Sequence, residues 1–184
     1  MNILNNYIGK MIVLVLATLI FSSCGKTETT TQLPSLSPIT SDDSCHVCGM
    51  TISGFPGPKA QAFIKHQDSS LKFCSTSDLF NWLLQPETPA ILREAFVHDM
   101  ATSAWDTPND NHYINVKQAW YVSNHDQSGA MGPTLASFKD KLAAEAYINE
   151  HGGELNQYAD ISLEFLSRLK IVDSHKQHGM QGHK

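Results

Sequence analysis

The sequence predicts an α+β fold in which two tandem ββαβ units pack as one compact domain behind a disordered N-terminal tether. The order strand, strand, helix, strand is indicated twice along residues 44–172. A segment of this length can bury one ordinary hydrophobic core, so the two units are expected to share a single domain. The boundary between them is placed near residue 104.

The first unit, residues 44–104, begins with a loop rich in glycine and proline that is not compatible with a helix. Two short apolar segments separated by a polar turn then indicate a β-hairpin. A serine at position 75 or 77 offers an N-cap for the amphipathic helix that follows. The predicted elements are strands at residues 60–65 and 71–74, a helix that ends before Pro86, and a strand at residues 95–99.

The second unit, residues 105–172, repeats this order of elements. Alternating apolar residues indicate two strands. Apolar residues at helical spacing then indicate a helix. Thr134 is predicted to cap its N-terminus, and a pair of glycines is predicted to end it. The predicted elements are strands at residues 112–116 and 119–122, a helix at 135–150, a short strand near 154–155 and a helix near 159–169.

The N-terminus is typical of an exported lipoprotein. A lysine precedes an apolar run at residues 11–21, which is too short to span a bilayer and matches the pattern of a secretory signal. Residues 22–24 resemble the lipobox of bacterial lipoproteins, so residues 1–23 are predicted to be a signal peptide and Cys24 the lipid-modified first residue. Gly25, where an aspartate is absent, resembles outer-membrane sorting. We therefore expect a periplasmic lipoprotein anchored in the outer membrane by its lipid.

Two further segments are predicted to have no fold of their own. Residues 24–43 are rich in Thr, Ser and Pro with few large apolar side chains, so they are expected to form a flexible linker. Residues 173–184 are polar and carry several histidines. This tail is expected to be disordered, with at most weak metal binding.

The charge and motif content exclude several classes of function. The formal net charge is -5, from 13 basic and 18 acidic residues, and the sequence contains no basic patch or basic helix. Nucleic acid is therefore not an expected partner. The sequence also lacks a phosphate-binding glycine loop, a zinc-protease signature and a nucleophile elbow. These observations predict a binding protein and not an enzyme.

The segment CHVCGM at residues 45–50 places two thiols and one thioether within six residues. Thiolate and thioether sulfurs are the soft donors that favour Cu(I) over hard cations. In an extended segment, Cys48 and Met50 would point in the same direction and present both sulfurs to one ion. A C-x-x-C pair also serves other chemistries, so a zinc site or a redox-active Cys45–Cys48 disulfide remains the alternative.

Further metal ligands are expected from other parts of the chain. Met131 is a candidate because it lies between glycines just before a predicted helix, although ordinary packing remains its alternative. Cys74 offers another thiolate or is a buried free thiol. His98, at the end of a predicted strand, is a further candidate. Cys45 and Cys74 together with a histidine could hold a second metal ion, such as zinc.

Several short segments together resemble the NosL family, the copper-chaperone lipoproteins of nitrous oxide reductase maturation. Their combination along most of the mature chain makes the resemblance specific. The segments are residues 45–50, 57–61, 73–80, 97–100, 119–122, 131–138 and 151–153.

The resemblance implies an exported, membrane-anchored protein that binds Cu(I). It further implies transfer of this copper to the maturing nitrous oxide reductase, alongside the enzyme's periplasmic copper-maturation machinery. A pair of ββαβ units is implied as well, in agreement with the order of elements above. By motif position the resemblance assigns copper ligation to Cys48 and Met50, and it points to Met131 as their distal partner.

Overall fold

The computed structural model of the protein describes residues 35–170. It contains two antiparallel sheets, each accompanied by helices. The predicted α+β class and the repeated ββαβ order are confirmed. The predicted signal peptide, Cys24 and the tail at residues 173–184 lie outside the described residues. Between residues 35 and 170, no helix is both long and apolar enough to cross a membrane.

The first sheet and its helices are formed by β1 (Ala60–Ile64), β2 (Leu71–Phe73), α1 (Thr76–Leu83), α2 (Thr88–Ile91), β3 (Leu92–His98) and β4 (Tyr113–Asn115). The strand order is β2-β1-β3-β4, and every neighbouring pair is antiparallel. The strand β1 is buried along nearly its whole length because it lies between two strands with both faces covered. The helix α1 begins after its N-cap Ser75, whose hydroxyl accepts a hydrogen bond from the Asp78 N–H.

The second sheet and its helices are formed by β5 (Trp120–Ser123), β6 (Ala136–Phe138), α3 (Lys141–His151), β7 (Glu154–Gln157) and α4 (Leu163–Ser167). The strand order is β6-β5-β7, again antiparallel throughout. This order repeats that of β2-β1-β3 in the first sheet. Short 3-10 turns at Met100–Thr102 and Tyr158–Asp160 complete the regular structure of the described residues.

Two groups of buried apolar side chains form the interior. The larger group includes Leu79 and Phe80 of α1, and also Tyr121 of β5 from the second sheet. The rings of Phe80 and Tyr121 meet edge to face with their centroids 5.2 Å apart. The smaller group lies beneath α3 and includes Val122 and Phe138. Because Tyr121 belongs to the larger group, the two units share a core, as the sequence predicted for one domain.

One predicted strand belongs to the first sheet and not, as predicted, to the second unit. The segment predicted as a strand at residues 112–116 forms β4, but β4 pairs with β3 at the edge of the first sheet. The sequence assigned it to the second unit because it follows the unit boundary. Strand pairing is decided by tertiary contacts, which the order of elements does not reveal.

The helix predicted for residues 135–150 is wrong at its N-terminus. Its first residues form β6, and α3 begins at Lys141 after the N-cap Asp140. A short apolar run does not distinguish strand from helix by its spacing alone, and this run leads directly into the true helix. Thr134 is therefore not a helix cap, and its hydroxyl has another role described below.

The described part of the predicted flexible linker packs on the domain. The Ile39 N–H donates a hydrogen bond to Asp110 Oδ2 at 2.9 Å. Asp43 forms an ion pair with Lys72, with 2.6 Å between the charged atoms. The prediction of flexibility is therefore wrong for residues 35–43. Ile39 packs against the larger core, and polar groups of the folded domain hold other parts of the segment.

Candidate metal centre

Residues 45–50 form a tight loop closed by two backbone hydrogen bonds. The Cys45 N–H donates to the Met50 carbonyl and the Gly49 N–H donates to the Cys45 carbonyl, both at 2.8 Å. Gly49 has a φ of 74°, in the left-handed region that glycine adopts without steric cost. The loop therefore turns between Cys48 and Met50. The prediction that these two residues lie in an extended segment is wrong, because the glycine between them reverses the chain.

This loop lies beside the end of β2, which brings it to a third cysteine. The His46 N–H donates to the Lys72 carbonyl of β2 at 2.8 Å. Cys74 is the first residue after β2, Ser75 caps α1, and Asp78 lies in the first turn of that helix. A carboxylate is favoured at this position because the N-terminus of a helix carries partial positive charge.

Four donor side chains converge here, and their ligand atoms all lie within 4.8 Å of one another: Cys45, Cys48, Cys74 and Asp78. The Cys74 Sγ lies 2.9 Å from Asp78 Oδ2 and 3.5 Å from the Cys48 Sγ. The Cys45 Sγ lies 3.8 Å from the same carboxylate oxygen. We call these four residues the cysteine cluster. Three sulfurs and one carboxylate form a donor set that suits soft or borderline metal ions.

The cluster is accessible from one side only. Cys45 and Cys74 are buried, whereas Cys48 is half-buried, and all three are free thiols. Asp78 is also buried, so its carboxylate contacts the thiols and the Ser75 hydroxyl instead of water. An incoming ion or a partner ligand therefore reaches the cluster at Cys48.

Cys45 and Cys74 titrate as a pair in opposite directions. The contact with the Cys74 thiol and the N–H groups of Cys48 and Val47 hold the pKa of Cys45 at about 5, although burial opposes this. The same contact, burial and the Asp78 carboxylate raise the pKa of Cys74 well above its usual range. Loss of one proton from the pair is therefore favoured over loss of both, and the remaining proton lies between the two sulfurs.

Met131 lies at the tip of a tight turn in the second unit. The Gly129 N–H donates to the Gly132 carbonyl at 2.7 Å, and the Met131 side chain between them is 61% exposed. A methionine that filled the core would be buried, so ordinary packing does not account for this residue. The turn is tied to α1 because the Ser77 hydroxyl donates to the Pro133 carbonyl at 3.3 Å.

A buried hydroxyl strengthens this connection between the units. The Thr76 hydroxyl donates to the Leu135 carbonyl at 2.6 Å and accepts from the Leu135 N–H at 3.1 Å. It also contacts the Thr134 hydroxyl at 2.8 Å. Thr76 follows Cys74 by two residues, and Leu135 follows Met131 by four. The loop with Met131 is therefore held next to the helix that begins behind the cysteine cluster.

His98 is not part of the cysteine cluster. Its ring is buried, its Nδ1 accepts a hydrogen bond from the Lys59 N–H at 3.1 Å, and its Nε2 lies 3.0 Å from Asp110 Oδ1. Both ring nitrogens are thus occupied within the fold. The structure gives His98 a role in holding β3 to its neighbours and provides no support for the predicted role as a metal ligand.

Asp78 belongs to the site but was not among the residues predicted for it. The sequence prediction used a serine at position 75 or 77 only to place the start of a helix. An N-cap side chain and a residue three positions later lie together at the start of a helix, so the Ser75 cap places the Asp78 carboxylate beside the residues that precede the helix.

Comparison with known proteins identifies the family. The NosL family model matches residues 36–166, a range that contains the cysteine cluster, Met50 and Met131. The chain belongs to the NosL family. The resemblance inferred from the sequence is confirmed.

Individual members of the NosL family match over long ranges. The copper-binding lipoprotein NosL of Stutzerimonas stutzeri is 39% identical over 181 residues, covering 97% of this chain and 91% of that protein. The copper-binding lipoprotein NosL of Achromobacter cycloclastes is 33% identical over 120 residues, covering 64% of this chain and 62% of that protein. The crystal structure of the copper chaperone NosL from Shewanella denitrificans matches with a TM-score of 0.69 and 44% identity, covering 72% of this chain and 98% of that chain.

Proposed function

We propose that this protein is a Cu(I) chaperone that delivers copper to apo nitrous oxide reductase by ligand exchange. The observation that carries the proposal is the convergence of three thiols and a carboxylate within 4.8 Å. Family membership supports it, because the relatives are named as copper-binding proteins or as a copper chaperone. The protein acts by binding and release, and none of its residues is assigned a catalytic role.

The proposed copper ligands combine charged and neutral sulfurs. Cys48 supplies the accessible thiolate and is expected to contribute most to affinity. Met50 and Met131 supply thioethers, which bind Cu(I) without adding charge. Cys45 and Cys74 complete the set or hold a second metal ion, such as zinc, beside the copper.

Partial exposure suits a protein that must release its metal. Cys48 is half-buried and Met131 is exposed, so a partner's soft ligands can approach the bound ion from the open side. Thiolate and thioether ligands are then displaced one at a time. A fully enclosed site would bind the ion but would leave no path for exchange.

The proposed location is the periplasm, with the protein anchored in the outer membrane through a lipid on Cys24. The curated relatives are named lipoproteins, which supports a membrane anchor. Its partners would be nitrous oxide reductase and the periplasmic copper-maturation machinery of that enzyme. An acylated N-terminus would keep the chaperone at the membrane surface where exported proteins fold.

A zinc-binding or thiol-redox lipoprotein is the second candidate, and the buried carboxylate of Asp78 is the observation that favours zinc. Zinc accepts tetrahedral sets of sulfur, nitrogen and oxygen donors, and the cysteine cluster offers four donors of which one is a carboxylate. This candidate predicts that the thioethers are irrelevant, because neither Met50 nor Met131 would contact the ion.

The deciding experiment is an anaerobic Cu(I) titration of the reduced protein against a competing chelator. Cys48→Ser, Met50→Leu and Met131→Leu are compared with the parent protein, because leucine preserves volume while removing the thioether. We expect one tightly bound Cu(I) and weaker binding in all three variants. Leu142→Ala, at a 79% exposed residue of α3, serves as a control.

Delivery is tested by mixing the copper-loaded protein with apo nitrous oxide reductase and measuring copper in the separated proteins. Movement of copper to the enzyme, faster than from a Cu(I)–chelator complex of equal affinity, is expected. Full Cu(I) affinity in Cys48→Ser would contradict the ligand assignment. Unchanged affinity in both methionine variants would favour the zinc candidate.

A further inference from the structure

Two sulfurs of the cysteine cluster, those of Cys48 and Cys74, are in direct contact. The Cys48 Sγ and Cys74 Sγ are 3.5 Å apart, and both residues are free cysteines. A disulfide needs a sulfur–sulfur distance of about 2.05 Å, so the two atoms must approach by about 1.5 Å. Cys48 lies in the turn at residues 46–48, outside the strands.

We propose that the metal-free protein is a substrate for thiol–disulfide exchange, in which Cys48 and Cys74 form a reversible disulfide and Cys45 stays a free thiol. The partner class is a protein or small molecule that carries an exchangeable disulfide or dithiol. The consequence for copper loading rests on the proposed function, whereas the exchange itself does not.

The unequal burial of the three thiols sets the order of the steps. Cys48 is half-buried, whereas Cys45 is 3% and Cys74 0% exposed. An external disulfide can therefore be attacked only by Cys48. Cys74 is reached next, because its sulfur is the one in contact with Cys48 and its orientation is fixed by the contact with Asp78 at 2.9 Å.

Exchange with a partner disulfide oxidises the protein in two steps. The Cys48 sulfur attacks the partner disulfide and forms a mixed disulfide, and one partner sulfur leaves as a thiol with the proton from Cys48. The Cys74 sulfur then attacks the Cys48 sulfur, breaks the mixed disulfide and releases the second partner thiol with the proton from Cys74. Two electrons pass to the partner. A dithiol partner reverses both steps and restores the thiols.

The disulfide and bound copper exclude each other. A sulfur in a disulfide has lost the negative charge that makes a thiolate a strong ligand for Cu(I). Oxidation therefore removes Cys48, the accessible ligand, and Cys74 together. The metal-free protein would accept copper only after a dithiol has reduced it, and bound copper would protect both sulfurs from oxidation.

The pairing is tested on the full chain carrying Cys24→Ser, so that only the three cluster thiols react. The metal-free protein is treated with oxidised glutathione, its free thiols are blocked with N-ethylmaleimide, and trypsin separates Cys74 from the loop at the intervening lysines. We expect one disulfide between the two peptides, with the blocking group on Cys45. A disulfide between Cys45 and Cys48, one between Cys45 and Cys74, or three blocked thiols would overturn the proposal.

The order of attack is tested with single-cysteine replacements in the same chain. Cys74→Ser removes the resolving sulfur and is expected to accumulate a glutathione adduct on Cys48. Cys48→Ser is expected to form neither an adduct nor a disulfide. Cys45→Ser is the matched control and should form the same disulfide as the parent. An adduct on Cys45 in the Cys74→Ser chain would contradict the proposed order.

The consequence for copper is measured separately. The oxidised protein is expected to lose one-to-one Cu(I) binding and to regain it after reduction with dithiothreitol and removal of the reductant. Retained binding in the oxidised protein would overturn the exclusion of copper by the disulfide. If the reduced protein binds no Cu(I), the proposed function fails, while the mapped disulfide still decides whether exchange occurs.

Discussion

Removing the Thr76 hydroxyl should destabilise the junction between the two units. The side chain is fully buried, and its oxygen hydrogen-bonds with both the N–H and the carbonyl of Leu135. Thr76→Val keeps the shape of the side chain and removes only this oxygen. Because Leu135 is also fully buried, no solvent replaces the lost partner.

The expected cost follows from the two backbone groups left without this partner. A buried polar group that loses its hydrogen bond costs about 1–3 kcal/mol, so the loss at both groups in Thr76→Val should lower the free energy of unfolding by about 2–6 kcal/mol. This is a large part of the total stability of an ordinary domain, about 5–15 kcal/mol. Thr76→Ser keeps the oxygen and loses one methyl group, so it should cost only about 1 kcal/mol.

Urea unfolding of the reduced, metal-free protein, followed by circular dichroism, measures both values. Equal costs for the valine and serine variants, within about 0.5 kcal/mol, would refute the reasoning, since the hydroxyl would then contribute nothing. Cu(I) binding provides a second measurement, which distinguishes a change in the position of the Met131 loop from a loss of stability. Thr76→Val should weaken Cu(I) binding in the parent protein but not in Met131→Leu, where the loop no longer supplies a ligand.

Three further predictions concern other parts of the fold. Burial lowers the pKa of His125 to about 4, so the unfolded chain binds more protons between that pH and about 6.5. The protein should therefore lose up to about 3 kcal/mol of stability as the pH falls through this window, and urea titrations should show a smaller loss in His125→Asn. Gly153→Ala should lower the free energy of unfolding by about 3 kcal/mol or more, because the new Cβ would lie 2.5 Å from the Ser123 carbonyl oxygen. Gly152 also has a positive φ, but a Cβ there would meet no atom within 4 Å, so Gly152→Ala should cost only about 1 kcal/mol. Equal thermal midpoints for the two glycine variants would contradict this. Asp78→Asn should weaken Zn²⁺ binding about tenfold or more and should change Cu(I) affinity less. The reason is that a carboxylate, a hard ligand, contributes little to the binding of a soft ion. Equal losses of Zn²⁺ and Cu(I) affinity, measured by chelator competition, would count against the copper assignment.

The first unit could be predicted from the sequence because its signals are local. The β1–β2 hairpin follows from two apolar segments around a polar turn, and α1 follows from the cap Ser75 and the apolar spacing behind it. The CHVCGM segment likewise indicated a metal site, because its donors are adjacent in the sequence. Each of these features depends on residues within about one or two turns of one another.

The errors occur where distant contacts decide the structure. The apolar run of β6 becomes a strand only because β5 is available as its partner, and β4 joins the first sheet for the same reason. His98 lies at a strand end, as predicted, but Lys59 and Asp110 occupy its nitrogens from other segments. Neither partner is recognisable from the sequence around His98.

The two units have the same spacing between a strand end and the helix that follows it, at the position where the first unit carries a cysteine of the cluster. In the first, one residue, Cys74, separates β2 from the N-cap Ser75; in the second, one residue, Lys139, separates β6 from the N-cap Asp140. The second unit has an exposed lysine where the first has a buried thiol.

The two units also differ in their hairpin loops. Residues 65–70 join β1 to β2, whereas the longer segment 124–135 joins β5 to β6 and carries Met131 at its tip. One half thus has a thiol at the strand end, and the other has a lysine there and a longer loop. In the described residues, two halves of one architecture therefore present different sulfur donors at different places: thiols beside a helix start in one, and a thioether on a loop in the other.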